Sequence, residues 1–395
     1  MIDSIPNKQP NFDNTEVAFR QKTNAELKKA FWLFKMIGSN FLTKVGPAIT
    51  NFFLNIGLPI QAAIKATIFQ QFCGGETIAE CDKAIVQLAK GGVGTILDYS
   101  VEGEEEEIVF DETCQEIIRT ILRADGDPNI PITVFKITGI GRFALLEKLD
   151  AKQTLTADEK AEFDKVKLRC EMICRTAFDK SVPVMIDAEE TWIQDTIDEL
   201  ALDMMRKFNQ ERIIVYNTYQ MYRHDKLADM KADHLIAKAA GFILGVKMVR
   251  GAYMEKERKR AAEMGYPSPI QKDKESSDKD YNESLRYCVD HIEEIAIVCG
   301  THNEDSSRLL TYLLNEKNVA HNHPHVYFAQ LLGMSDNLSF NLADANYNVA
   351  KYVPYGPIKA VMPYLFRRAQ ENTSVAGQTG RELGLIEREL KRRKL

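Results

Sequence analysis

No run of about 18 uninterrupted apolar residues occurs in this chain of 395 residues, so no membrane-spanning helix is expected. A basic excess is missing too. Lys and Arg number 51 against 57 Asp and Glu, a net charge of −6, which argues against a nucleic-acid binder. The opening stretch MIDSIPNKQPNFDNTEVAFRQKTN lacks both the apolar core of a secretory signal and the Arg-rich, acid-poor balance of a transit peptide. Seven cysteines, an odd number, fall without CxxC spacing, and only Cys170 and Cys174 are placed as on one helix face. All seven read as reduced thiols in a cytosolic setting. No Walker loop, nucleophile elbow, HExxH or zinc-finger spacing appears. What remains is a globular composition, 45% hydrophobic and 27% charged, on a chain long enough for one large core or two.

What is present is a series of short β-type runs, each followed by a helical pattern. They are GTILDYS (94–100), ITVFKITGI (132–140), VPVMIDAEE (182–190), RIIVYNTYQ (212–220), GVKMVRGAY (245–253), IAIVCGTHN (295–303), HVYFAQLLGM (325–334) and NVAKYVPYG (348–356). Val, Ile, Phe and Tyr dominate them, and most are nearly continuous apolar runs, as in parallel strands buried on both faces. Eight such strands alternating with helices predict an α/β fold, a closed (β/α)8 barrel. An open doubly wound sheet has similar strands, but no G-x-G-x-x-G follows the first one. The expected division is a helical region over 1–90, the barrel over 91–375 and a helical tail over 376–395. FFLNIGLPIQAAIKATIFQQF (52–72) reads as a helix packed on the barrel and broken at Pro59, with a membrane-lying helix as the other reading. EGEEEE (102–107) reads as a solvated acidic loop, and the charged insert from Glu255 to Asp280 as a cover for the barrel top.

Barrels of this kind carry their chemistry at the carboxyl ends of the strands. Those ends hold Asp98, Lys136, Asp187 with Glu189 and Glu190, Asn217, Arg250 with Tyr253, Thr301-His302-Asn303, Gln330, and Tyr352 with Tyr355. A Lys or Asp inside an apolar strand is costly unless paired. Lys136 and Asp187 therefore read either as site residues or as a structural ion pair, and His302 as a site residue or a satisfied, partly buried imidazole. HNHPH (321–325) has three His at alternate positions, but it precedes strand seven at the opposite face and reads as a turn rather than a metal site. In the helix after strand eight, PYLFRRAQEN (363–372) places Arg367 beside Arg368. Two adjacent guanidiniums can converge on one small anion, or simply face solvent.

In VFKITGI, MIDAEE, NTYQMY, KMVRGAYMEKER, GTHN, FAQLLGM, KYVPYG and PYLFRRAQEN, in that order from about 130 to 375, the chain resembles the proline dehydrogenase family, flavoproteins that oxidise L-proline. The wording is closest to the stand-alone and animal-type members. The resemblance implies a distorted barrel with FAD bound noncovalently at its carboxyl-terminal mouth and the last helix over that mouth. It implies that Arg367 and Arg368 hold the proline carboxylate, that Lys136 assists and that Glu371 ties back to the pair. Tyr352 and Tyr364 would wall the ring, with Leu331 as apolar contact. Asp187 would belong to the network that positions the site. Lys247 would stand near flavin N5, where many bacterial members have Arg. Ala188, Arg250, Gly251, Ala252, Tyr253, Thr301 and His302 would line the cofactor, and Asn217 would replace a family Gln there. Ser277, Asp278 and Tyr281 resemble an element near the nucleotide end. Proline would lose hydride from C5 to flavin N5, giving 1-pyrroline-5-carboxylate, with electrons passed to a quinone. The alternatives are trans-4-hydroxyproline as substrate and, in another class, a cofactor-free lyase using Lys136 as a Schiff-base amine. Quinone use implies peripheral membrane contact, through the 52–72 stretch or the basic tail LKRRKL (390–395). The expected place is the bacterial cytoplasm at the inner face of its membrane, or the mitochondrion for an animal-type chain.

Overall fold

Eight parallel strands close into a barrel in sequence order, β1 Gly94–Tyr99, β2 Thr133–Phe135, β3 Val184–Ile186, β4 Val215–Gln220, β5 Leu244–Val249, β6 Ile295–Gly300, β7 Val326–Leu331 and β8 Val349–Tyr355. The computed structural model describes residues 9–37, 65–100, 105–374 and 378–395. All eight expected runs are strands, and the closed order excludes the open sheet. The runs are shorter than their apolar stretches. β2, for example, stops at Phe135, and Ile137–Gly139 turns into a short 3-10 helix.

By its contacts the chain forms two compact units, Met1–Val101 with Gln330–Leu395, and Glu102–Ala329. In Glu102–Ala329, β3, β4 and β5 pair in the register Ile186↔Asn217 and Thr218↔Lys247. Helices Glu107–Ala124, Ala157–Lys180, Thr191–Phe208, Lys226–Ala240 and Lys274–Asp290 bury one face each, as in Ile193, Ile197, Leu200, Met204 and Phe208 at helical spacing. Thr156 and Glu159 form a capping box at the start of Ala157–Lys180. Glu107 is not part of a solvated loop. It opens its helix and is ion-paired with Arg169, while residues 102–104 lie outside the described ones. The helix Met254–Met264, from the charged insert, is tied to the ends of neighbouring elements. Glu257 accepts from Thr191 N and Oγ1 at 2.8 and 2.6 Å, Lys256 pairs with Glu190, and Arg260 lies 4.4 Å over the Trp192 ring.

In the other unit, β1 and β8 pair from Gly94↔Ala350 to Tyr99↔Tyr355. The chain ends are bound to each other. Leu385 and Ile386 of the helix Gln378–Arg392 pack with Ala18, Phe19, Leu27, Ala30 and Phe34. Fully buried Glu389 pairs with Arg392 and Arg393, and Arg393 also donates to the carbonyls of Phe19 and Lys22. These two arginines of the basic tail are thus committed to protein partners. Of the 52–72 stretch, residues 52–64 lie outside the described ones, and Phe69 and Phe72 are buried. Buried Lys351 of β8 pairs with Asp336 at 2.8 Å, and Lys22 reaches the same carboxylate at 3.2 Å. Burial opposes ionisation of Asp336, but these two ammonium groups outweigh it and hold its pKa at about 2.

Candidate active site

Asp187 follows the last residue of β3 and offers one carboxylate oxygen to each of two lysines. Lys247 donates to Oδ1 at 2.5 Å and Lys136 to Oδ2 at 3.3 Å. The three side chains are 13, 6 and 17% exposed, respectively. Burial alone would raise the Asp187 pKa, but the paired charges of Lys247 and Lys136 prevail and hold it below the usual carboxylate range. Three strands deliver one polar residue each because side chains in register on neighbouring parallel strands share a face. Thr218 stands opposite Lys247, and Asp187 is one step beyond Ile186↔Asn217. Lys136, Asp187, Thr218 and Lys247 therefore lie on one face.

That register places Asn217 on the other face. Its amide donates to Asp198 Oδ1 of the helix Thr191–Phe208 at 2.8 Å, and its carbonyl accepts from Thr218 N. Asp198 also receives Lys226 at 2.7 Å, so the Asn217 amide is bonded between strand and helix. The β4 amide on the Lys247 face is Gln220, two residues beyond Thr218, and it donates to the Glu189 carbonyl at 2.7 Å. Sequence reasoning missed it, although the two-residue alternation from Thr218 was available as a signal. Glu189, noted only as a polar strand end, accepts from Thr138 Oγ1 at 2.5 Å and Thr138 N at 3.1 Å. It is 3% exposed, and burial pushes its pKa up to about 7 against the pull of Thr138 and Lys136.

A second cluster surrounds Arg250, just after β5. Nε donates to Asp278 at 2.6 Å, Nη1 to Thr301 Oγ1 at 2.9 Å and Nη2 to Ser306 Oγ at 3.0 Å. The guanidinium lies 4.4 Å over the ring of fully buried Tyr281. Arg250, Thr301, Asp278 and Tyr281 are thus brought together, and the guanidinium is spent on protein partners. Ser277 is buried in the same helix as Asp278 and Tyr281, Lys274–Asp290. Gly251 has φ +131°, and a Cβ there would meet the Tyr222 ring at 2.4 Å, so only glycine suits this turn. Ala252 is exposed, while Ala188, Tyr253 and His302 are half-buried.

In the unit that holds β8, buried Lys351 turns to Asp336, so the next side chain, Tyr352, takes the opposite face together with Asp98, two steps beyond its partner Ile96. Leu331 and Tyr364 meet in one apolar cluster with Phe69, Phe72, Val361 and Leu365. Tyr364 and Arg367 sit on the helix Ile358–Ser374, where Tyr364 is buried and Arg367 half-buried. The side chains of Arg368 and Glu371, on the same helix, lie outside the described ones. At the other end of the strands, HNHPH is a turn in which His321 bonds Asn315 and His325 bonds the Ile292 carbonyl.

The proline dehydrogenase family model matches residues 81–381. Proline dehydrogenase 1, mitochondrial, of Dictyostelium discoideum is 32% identical over 98% of this chain and 76% of its own length. The human protein of that name is 40% identical, over 60% of this chain and 40% of its own. A third relative, the carbapenem antibiotics biosynthesis protein CarD of Pectobacterium carotovorum, is 32% identical over 84% and 86% of the two chains. Among solved structures, proline utilization A from Bdellovibrio bacteriovorus, inactivated by N-propargylglycine, matches with a TM-score of 0.73 at 20% identity, over 91% of this chain and 38% of that one. At that identity it supports the fold alone, and the fold agrees. With a barrel of this order and a family match over most of its length, the chain belongs to the proline dehydrogenase family.

Proposed function

We propose that this chain oxidises L-proline to 1-pyrroline-5-carboxylate using noncovalently bound FAD, with electrons leaving to a quinone. The observation that carries the reading is the Lys136–Asp187–Lys247 cluster, with Lys247 buried and the other two half-buried, on one strand face of a family member. The residues fit a flavin in their chemistry. Lys247 is a fixed cation suited to a ring that gains negative charge, and Thr301 and His302 follow β6 at the strand ends where such barrels bind ligands. When bound, FAD supplies the electron acceptor that no side chain provides.

The chain's own residues would then bind and orient. Arg367 and Arg368 would hold the substrate carboxylate, and Glu371 would steady the pair. Lys136, the looser of the two partners of Asp187, would add a further positive charge for that carboxylate. Asp187 holds both lysines and needs no proton transfer of its own. Tyr352, Tyr364 and Leu331 would exclude water from the ring and fix its pose. With each of its three nitrogens bonded to protein, Arg250 would hold Thr301 and the helix Lys274–Asp290 in place for the cofactor, with Gly251, Ala252 and Tyr253 as the adjoining turn. Gln220 takes the role expected of Asn217.

The lyase reading needs Lys136 as a neutral amine, and Lys136 is ion-paired. For membrane contact, no described helix is long and apolar enough to cross a bilayer. With Arg392 and Arg393 of the basic tail committed, the 52–72 stretch is the stronger candidate for touching a quinone-bearing surface. Mass spectrometry of the product formed from L-proline by the FAD-loaded protein tests the reaction. A product two mass units lighter, with trans-4-hydroxyproline the poorer substrate, supports it; turnover of hydroxyproline alone replaces the substrate.

A further inference from the structure

We propose that Glu189 is a positioning residue that sets Lys136 for the substrate carboxylate by clamping the turn that begins at Lys136. The inference rests on the function proposed above for Lys136, and it adds a role for a carboxylate that the reaction itself does not use.

The β2–β3 ladder ends early. Its last bond runs from Asp187 N to the Phe135 carbonyl at 2.9 Å, one residue before Lys136. Beyond it the chain leaves the strand, and Gly139 N closes a 3-10 turn on the Lys136 carbonyl at 3.1 Å. What ties this turn to β3 is the Glu189 carboxylate, which accepts from both the backbone and the hydroxyl of Thr138 at 3.1 and 2.5 Å. Glu189 is itself fixed on both sides. Its N–H donates to Gln194 Oε1 at 2.7 Å, and its carbonyl accepts from Gln220 Nε2 at 2.7 Å. Gln194 is anchored in turn on Asp198 at 2.8 Å. The ends of β2, β3 and β4 and the helix Thr191–Phe208 are thus joined through one buried residue, Glu189, by its carboxylate to Thr138 and by its backbone to Gln194 and Gln220.

This arrangement has a consequence for Lys136. Its ammonium reaches Asp187 Oδ2 at 3.3 Å from a backbone that opens the clamped turn, so a shift of that turn displaces the ammonium. Glu189 provides that constraint without touching the Lys136 ammonium in a hydrogen bond of its own among the described contacts. Reactions that depend on pose lose rate or affinity for small displacements of a binding group.

A double-mutant cycle with two independent lesions decides the matter. In the FAD-loaded protein at about pH 8.5, where the Glu189 carboxylate accepts both Thr138 bonds and a Gln amide can accept only one, Glu189→Gln should raise KM for L-proline about tenfold with kcat changed less than about threefold. Thr138→Val, which keeps the charge and removes the hydroxyl, should act in the same sense, and Thr138→Ser should recover most of the loss. Neither Glu189→Gln nor Thr138→Val should raise KM further in a Lys136→Met background, because the residue they position is gone. Equal effects in both backgrounds, no effect in either, or an effect of Glu189→Gln without one of Thr138→Val would overturn the proposal. Amide exchange supplies a readout that needs no substrate. Glu189→Ala should speed exchange at Thr138 about tenfold or more while β3 amides hold their rates. A wild-type protein inert to proline would sink the functional reading, yet unchanged exchange at Thr138 would still be needed to sink the clamp.

Discussion

Lys247 donates to Asp187 across 2.5 Å, with the two side chains 6 and 13% exposed. A pair so enclosed is tolerated because the charges satisfy each other, and the second oxygen of Asp187 serves Lys136. Removing the carboxylate takes away the anion that the two enclosed ammonium groups share. Asp187→Ala should therefore destabilise the fold by about 3–5 kcal/mol, read by urea unfolding. In a Lys247→Met background the cost should shrink. An Asp187→Ala change near zero would mean the lysines find water or other partners.

The two amides of β4 should behave oppositely. Asn217→Ala should lower stability by about 1–3 kcal/mol, because it removes the acceptor of Thr218 N and one of the two amide donors, beside Gln194, to Asp198 Oδ1, but should leave the FAD content of purified protein intact. Gln220→Ala should lower FAD content. Flavin loss in Asn217→Ala and not in Gln220→Ala would reverse the assignment made from the strand register.

Burial raises the Glu189 carboxyl to about 7 from its ordinary 4.5. The folded state thus holds this proton more tightly than the unfolded chain, so the contribution is fully present below about pH 4.5 and is lost as pH rises through 7. The loss is worth about 3 kcal/mol at most. Glu189→Gln, which imitates the protonated form, should be spared. Urea midpoints at pH 5.5 and 8 should show the wild type losing stability relative to the variant. Parallel behaviour of the two proteins would show that Glu189 is ionised throughout.

Arg368→Met should abolish proline turnover while the protein keeps its flavin, since the guanidinium is assigned to the substrate and not to the cofactor. The check is kcat/KM beside the ratio of flavin to protein absorbance. Loss of flavin with the arginine would make the pair structural.

The strand count was legible because each buried parallel strand is an apolar run long enough to see, and each ends in polar residues. Lengths were not. VFKITGI reads as one strand, yet Lys136 leaves the ladder and Ile137–Gly139 turns, held by a glutamate 51 residues away in sequence. Lys136 and Asp187 were conspicuous as charges in apolar runs, and the structure pairs them and adds Lys247. The sidedness of β4 was not legible, since Asn217, Thr218 and Gln220 are all polar and only register against Asp187 and Lys247 tells the faces apart. The clasp of Arg393 on the carbonyls of Phe19 and Lys22 joins positions 374 and 371 residues apart, and no local pattern announces it. The family match reaches back to residue 81, well before the first motif that carried the resemblance.

The most direct test of the account is the visible spectrum of the purified, FAD-loaded protein before and after anaerobic addition of L-proline. Flavin bands that bleach with proline, and more slowly or not at all with trans-4-hydroxyproline, are the predicted result. A protein that binds no FAD, or whose flavin bands are unmoved by proline, would contradict it.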